Sequence, residues 1–168
     1  MWPALHLTES LMIMSETPQT LPDRVLRNQD GQPVSLRDSL GRFVVIYFYP
    51  KAMTPGCTTQ ACLIRDAPAR PNEQQVVTFG ISPDAPQALK KFQIRDSLPF
   101  DLLSDSDTQL AQSFGSWVEK RMYGRTFMGM QRDLFVFAPD GALIGEYRKI
   151  APSEHVKLVD ECISAYKS

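Results

Sequence analysis

The chain has 168 residues, with 18 Lys and Arg against 19 Asp and Glu, a net charge of −1 and 43% hydrophobic content. That length corresponds to about one domain, and the apolar content fills a core without disulfide or metal staples. The balanced charge argues against a general nucleic-acid binder, and the longest apolar run, Phe43 to Tyr49, falls far short of the ~20 residues that span a bilayer.

Met1 to Met14 is moderately apolar, but Pro3 and Glu9 interrupt it and no Lys or Arg precedes it, unlike an export signal. Residues 1–20 are expected to form a poorly ordered extension and 21–168 to form one domain; the alternative is that the first residues lie upstream of the true start, with Met14 initiating. A cytoplasmic location follows as the expectation. In a reducing compartment Cys57, Cys62 and Cys162 point to catalysis, metal binding or plain burial rather than to a disulfide framework.

Residues 15–24 are polar and contain proline, and read as a lead-in. Asp30-Gly31 marks a turn, and Val34-Ser35-Leu36 is a short strand or the approach to a helical turn. Phe43 to Tyr49 is continuous, β-branched and aromatic between Gly41 and Pro50, as expected of a central strand buried on both faces. A helix is predicted from Pro55 to about Ala67, stopped by Pro68 and Pro71, then a second buried strand over Val76 to Ile81. Pro83 to Asp96 reads as a helix with Ala85, Leu89 and Phe92 on one face. A shorter helix is predicted over Thr108 to Phe114. Trp117 to Gln131, rich in Gly, Met and aromatics without clear periodicity, reads as loop with some strand. Leu134 to Phe137, Asp140-Gly141 and Leu143 to Tyr147 form a hairpin. From Ser153 a last helix carries Val156, Val159, Cys162, Ile163 and Tyr166 on one stripe. Strands alternating with helices fit a three-layer α/β domain.

Chemistry concentrates in Pro50 to Cys62, directly after the central strand, where α/β folds place their sites. Thr54 suits the helix N-cap and Pro55 the first helical position. Cys57 then falls in the first turn, where free N–H groups and the helix dipole favour a thiolate, the form a reactive cysteine needs. The bland alternative is a small buried hydrophobe. Cys62, five residues on, lies about 7.5 Å further along a regular helix, beyond the ~7 Å Cα separation that a disulfide allows. A Cys57–Cys62 bond therefore requires the first turns to unwind; Cys62 facing the core is the alternative.

Tyr47-Phe48-Tyr49-Pro50-Lys51 followed by Thr54-Pro55-Gly56-Cys57-Thr58-Thr59 resembles the peroxiredoxins, thioredoxin-fold thiol peroxidases, and matches their Pro-x-x-x-Thr-x-x-Cys signature through Pro50, Thr54 and Cys57. Cys62 at the fifth position on is similar to the bacterioferritin comigratory protein or Q-type branch. The similarity runs from about Leu21 to the C-terminus, through Gly80-Ile81-Ser82-Pro83-Asp84, Leu98-Pro99-Phe100 with Leu103-Ser104-Asp105, and Tyr123-Gly124-Arg125 onward to Arg132.

The resemblance implies a thioredoxin-like α/β fold, a central mixed sheet flanked by helices. It implies Cys57 as the peroxidatic nucleophile, Thr54 orienting the peroxide through its hydroxyl and Pro50 shielding the pocket. Arg132 matches the family arginine that favours the thiolate and polarises the peroxide. Read without the family, Arg132 is a surface arginine with Arg121 and Arg125 as rivals. The implied cycle oxidises Cys57 to a sulfenic acid, resolves it with Cys62 to an intramolecular disulfide, and returns it with thioredoxin or a similar dithiol. The implied protein is a monomer or weak dimer acting on hydroperoxides without metal, haem or flavin. A thiol-disulfide oxidoreductase is the second reading, weakened by the Cys-x-x-x-x-Cys spacing, and a non-enzymatic redox sensor the third.

The chain departs from the family at Ala52-Met53, at Gln60 where Glu is usual, and at Leu63-Ile64 where Asp-Phe is usual. Gln60 removes a carboxylate partner for an arginine. Ala52, Met53, Leu63 and Ile64 make a more apolar surface, expected to favour bulkier organic hydroperoxides. Elsewhere, Cys162 reads as core, and His6 and His155 lack the spacing of a zinc site. Gly124 to Gly129 lacks the residues of a phosphate loop. Met122, Met128, Met130, Trp117, Tyr123 and Phe127 read as core or loop packing, with a partner or peroxide pocket as the alternative.

Overall fold

The structure, a computed structural model, describes residues 17–70 and 75–167. Most of the extension expected over residues 1–20 therefore lies outside the described residues. Where the description begins, Leu21 N–H donates to Gly141 O at 2.8 Å and Leu143 N–H to Gln19 O at 2.8 Å.

The elements follow in order as β1 (Val25–Asn28), β2 (Pro33–Ser35), a 3₁₀ turn (Leu36–Ser39), β3 (Phe43–Phe48), α1 (Pro55–Asp66), β4 (Val76–Ser82) and α2 (Pro86–Asp96). Then come β5 (Asp101–Ser104), α3 (Gln109–Ser113), β6 (Trp117–Met122), β7 (Arg125–Met130), β8 (Leu134–Phe137), β9 (Leu143–Tyr147), a 3₁₀ turn (Pro152–Glu154) and α4 (His155–Lys167). Seven strands form one sheet in the order β2-β1-β5-β4-β3-β8-β9, while β6 and β7 pair only with each other. β3, β4 and β5 run parallel and the remaining pairs antiparallel, so the sheet is mixed.

All six residues of β3 are buried, and the period of two divides them between two cores. Phe43, Val45 and Tyr47 pack with Ala61 of α1, Leu89 and Phe92 of α2, and Val159 and Ile163 of α4. Val44, Ile46 and Phe48 pack on the other face with Leu110, Ala111 and Phe114 around α3 and with Leu21 and Leu36. The central strand is thus sandwiched, as its unbroken apolar run predicts. The fold is the thioredoxin-like arrangement of helices on both faces of a mixed sheet.

Local differences have local causes. β1 and β5, short and at most half apolar, were not foreseen. α2 begins at Pro86 rather than Pro83 because Ser82 and Asp84 serve elsewhere: the Ser82 hydroxyl donates to Asp84 Oδ2 at 2.8 Å, and the same oxygen accepts the Ala52 N–H at 2.7 Å. Trp117 to Gln131 is a regular hairpin, its turn made by Tyr123 and Gly124 at φ 52° and 75°. Two positive φ values in a two-residue loop match the twist of flanking strands. Within it Met122, Tyr123, Phe127 and Met128 are exposed, and only Met130 of that group is fully buried. On α4, Tyr166 of the expected stripe is exposed and His155 is buried instead.

Candidate active site

β3 ends at Phe48, and the chain turns through Pro50 and Met53 (φ 66°) into α1. Thr54 occupies the N-cap with extended φ and ψ of −76° and 156°, and Pro55 opens the helix. The Thr54 side chain does not cap it, contrary to the sequence expectation: its hydroxyl donates to Lys51 O at 2.7 Å. That bond uses the proton and leaves the oxygen lone pairs free to accept. Cys57 lies in the first turn, 2% exposed, among the aromatic and aliphatic side chains of the helix-side core. Cys62 is half-buried on the same helix, and Cys57, Cys62 and Cys162 are all free thiols.

Arg132, between β7 and β8, reaches this turn from the adjacent strand: Nη1 and Nη2 both lie 3.7 Å from Cys57 Sγ. β3 and β8 are antiparallel neighbours, so the end of one and the start of the other meet at the same sheet edge. Gly56 admits the guanidinium, since a Cβ there would stand 3.1 Å from Nη2. Arg121 and Arg125, the rivals in sequence, face each other's strand across the exposed hairpin and are not brought to Cys57.

Gln60 does not leave the arginine without a partner. Its Oε1 accepts from Arg132 Nη1 at 2.7 Å, and its Nε2 lies 3.0 Å from His155 Nδ1. Arginine has only donors, so the amide oxygen must face Arg132 and the amide NH₂ must face His155. His155 Nδ1 then accepts, and the imidazole is neutral with its proton on Nε2. Burial agrees, pushing His155 down from 6.5 to about 3. His155 is a site neighbour that its spacing in sequence did not reveal.

Arg132 is also fixed from behind. Asp133, fully buried, accepts from the Ser116 hydroxyl at 2.6 Å, Arg148 Nη1 at 2.9 Å, Gln131 Nε2 at 2.9 Å and the Lys149 N–H at 2.9 Å. This clamp joins the root of the hairpin to β8 and to the end of β9. In front of Arg132 a groove of about 690 Å³ is lined by Pro50, Val118, Lys120, Met122, Phe127 and Ile150 among others. Lys120 Nζ donates to Met130 O at 2.6 Å, and burial followed by the nearby Arg132 charge pushes its ammonium down. The apolar wall thus comes from the hairpin. Of the residues expected to form it, Ala52 is buried and Ile64 packs onto the core, which leaves Met53 and Leu63 exposed.

A cysteine at a helix N-terminus, gripped by a forked cation beside a threonine and a proline, is an arrangement that activates a thiol toward an electrophilic oxygen. The AhpC/TSA family model matches residues 18–145. Peroxiredoxin Bcp of Bacillus subtilis is 42% identical over 141 residues, 84% of this chain and 90% of that protein. The chain belongs to the AhpC/TSA family of peroxiredoxins, in the Bcp branch. Among solved structures, the bacterioferritin comigratory protein of Xanthomonas campestris, a protein with alkyl peroxide reduction activity, superposes with a TM-score of 0.78 at 30% identity, covering 92% of this chain and 99% of that one. BcpB of Mycobacterium tuberculosis gives a TM-score of 0.78 at 32% identity over 91% of this chain and 99% of that one. This peroxiredoxin is a thiol peroxidase, with a peroxide as substrate and a thiol as reductant. Among the described residues no helix is long and apolar enough to cross a membrane, and no three His, Cys, Asp or Glu side chains are grouped to hold a metal.

Proposed function

We propose that Cys57 is the peroxidatic residue, Cys62 the resolving one, and a thioredoxin-like dithiol the reductant. The observation that carries this is the guanidinium of Arg132 set with two nitrogens 3.7 Å from Cys57 Sγ. The Cys57 thiolate attacks the nearer peroxide oxygen, the O–O bond breaks, and water or an alcohol leaves with Cys57 as the sulfenic acid. Arg132 donates to the peroxide oxygens, Thr54 Oγ1 accepts a hydrogen bond from the peroxide O–H, and Pro50 excludes water. A solvent proton equivalent to the one the thiol released neutralises the departing oxygen. The first turns of α1 unwind, the Cys62 sulfur attacks Cys57 Sγ, water leaves and the disulfide forms. Two exchange steps with a dithiol restore both thiols. The groove beyond Arg132 receives the organic part of an alkyl hydroperoxide against Val118, Met122, Phe127 and Ile150.

The test is hydroperoxide consumption with thioredoxin, thioredoxin reductase and NADPH. Wild type is expected to turn over continuously, Cys57→Ser not at all, and Cys62→Ser to stall after one cycle. Sustained turnover by Cys62→Ser on thioredoxin removes the resolving role; loss of only part of the rate in Cys57→Ser removes the nucleophile.

A further inference from the structure

His155 begins α4, far from Cys57 in sequence, yet it closes a ring of contacts around the site. Arg132 O accepts the Ile150 N–H at 2.9 Å, and the chain then runs through the Pro152–Glu154 turn to His155. From His155 Nδ1 the path returns through the Gln60 amide, 3.0 and 2.7 Å per contact, to the guanidinium of the same Arg132. Main chain and side chain of Arg132 are thus held by the two ends of one short strap. The ring of Tyr47 stands edge-on to the imidazole at 4.9 Å, and both rings are buried.

Resting on the reading of Cys57 and Arg132 given above, we infer that His155 is a positioning residue for the peroxidase reaction: its Nδ1 lone pair orients the Gln60 amide, and the amide oxygen aims Arg132 at Cys57. The polarity of this relay is fixed at each junction. With His155 Nδ1 unprotonated, the Gln60 NH₂ has a buried acceptor and its oxygen must face Arg132. Without that acceptor the buried NH₂ is orphaned, a cost that favours withdrawal of the whole Gln60 amide toward another acceptor or water. A withdrawn amide no longer offers its oxygen to a guanidinium that can only donate. Arg132 then swings toward the groove, where Glu119 supplies a carboxylate. The sulfur loses its two donors although no residue touching it has changed.

The experiment compares single-turnover oxidation of the full-length reduced protein by hydrogen peroxide in wild type, His155→Leu, His155→Asn and Arg132→Ala. Leucine fills the apolar space but offers no acceptor; asparagine fills it less well but places a carbonyl oxygen near the position of Nδ1. His155→Leu is expected to lower the second-order rate constant about tenfold, the rate equivalent of one lost buried hydrogen bond. His155→Asn restores the rate to within about threefold of wild type, although it melts lower because a polar side chain fills an apolar site. A packing role gives the reverse order, with leucine faster than asparagine, and overturns the inference, as does an unchanged rate in His155→Leu. If Arg132→Ala also reacts at the wild-type rate, it is the role of Arg132 that fails. Nitrogen-15 NMR of the wild type supplies a readout without substitution. The Nε2–H tautomer of His155 is expected, and an Nδ1–H tautomer refutes the relay.

Discussion

Gly56 stands where α1 and the Arg132 guanidinium come closest, and its missing side chain serves the site rather than the helix. Alanine there favours helix formation by up to about 1 kcal/mol. Its Cβ, however, meets Arg132 Nη2 at 3.1 Å, so the arginine must give way. Gly56→Ala is therefore expected to leave stability unchanged or raised while lowering the rate of Cys57 oxidation about tenfold, since small displacements of positioning groups are costly. Urea denaturation and stopped-flow oxidation on one preparation show whether the two effects have opposite sign. Tyr47 offers the complementary case. Its hydroxyl is buried with no hydrogen-bond partner among the described residues, and burial pushes the phenol up. Tyr47→Phe removes the orphaned group and keeps the ring, so a gain of about 1 kcal/mol in unfolding free energy is expected, read from the same denaturation curves. At this scale Cys57 was legible because strand, proline and cap positions precede it in order. Arg132 was not legible by itself, because nothing local distinguishes it from Arg121 and Arg125; only a likeness to the family singled it out. The Gln60–His155 pair, 95 residues apart, had no local signature, and the consequence of Gln60 was misjudged because an amide oxygen accepts an arginine donor as a carboxylate does.

Among the elements, the proposed Cys57–Cys62 disulfide requires α1 to be both anchored and able to open. Arg65 Nη1 donates to Asp96 O at 2.7 Å and Ile64 packs onto the core, tying the far end of α1 to the end of α2. The near end is held by the Gln60 contacts and by Arg95 Nη2, which donates to Thr58 Oγ1 at 2.7 Å. On oxidation by one equivalent of peroxide, hydrogen exchange is expected to accelerate over Cys57–Cys62 while the Arg65 end keeps its protection. Uniform protection along α1 in the oxidised protein speaks against unwinding. The sequence revealed β3 and α1 because one is an unbroken apolar run and the other carries cap and proline signals. It gave β6 and β7 only as loop with some strand because neither face of that hairpin is uniformly buried, so no alternation of two is written into the residues.

For the whole molecule, the buried imidazole ties stability to pH. His155 titrates near 3 in the folded protein against 6.5 when unfolded. Above about pH 6.5 both states are neutral and the residue contributes nothing to the pH dependence. Below it the unfolded chain binds a proton that the folded protein excludes, so stability falls as pH falls, by up to about 1.4 kcal/mol per unit. Between pH 7 and 5 the loss due to this group is about 2 kcal/mol, obtained as wild type minus His155→Asn in urea denaturation. An equal loss in both proteins shows that other groups cause it. The fold as a whole was legible because strands and helices alternate along the chain; the outlying hairpin was not.

That hairpin is fastened at its root by the Asp133 clamp, while its turn at Tyr123 and Gly124 projects free of the sheet. The wall of the groove and the thiol chemistry are therefore separately encoded. Length, composition and even an inserted module at the tip become variables that evolution or an engineer can alter while the sulfur and its arginine stay as they are; on the proposed reading of the groove, such changes retune which peroxides are admitted.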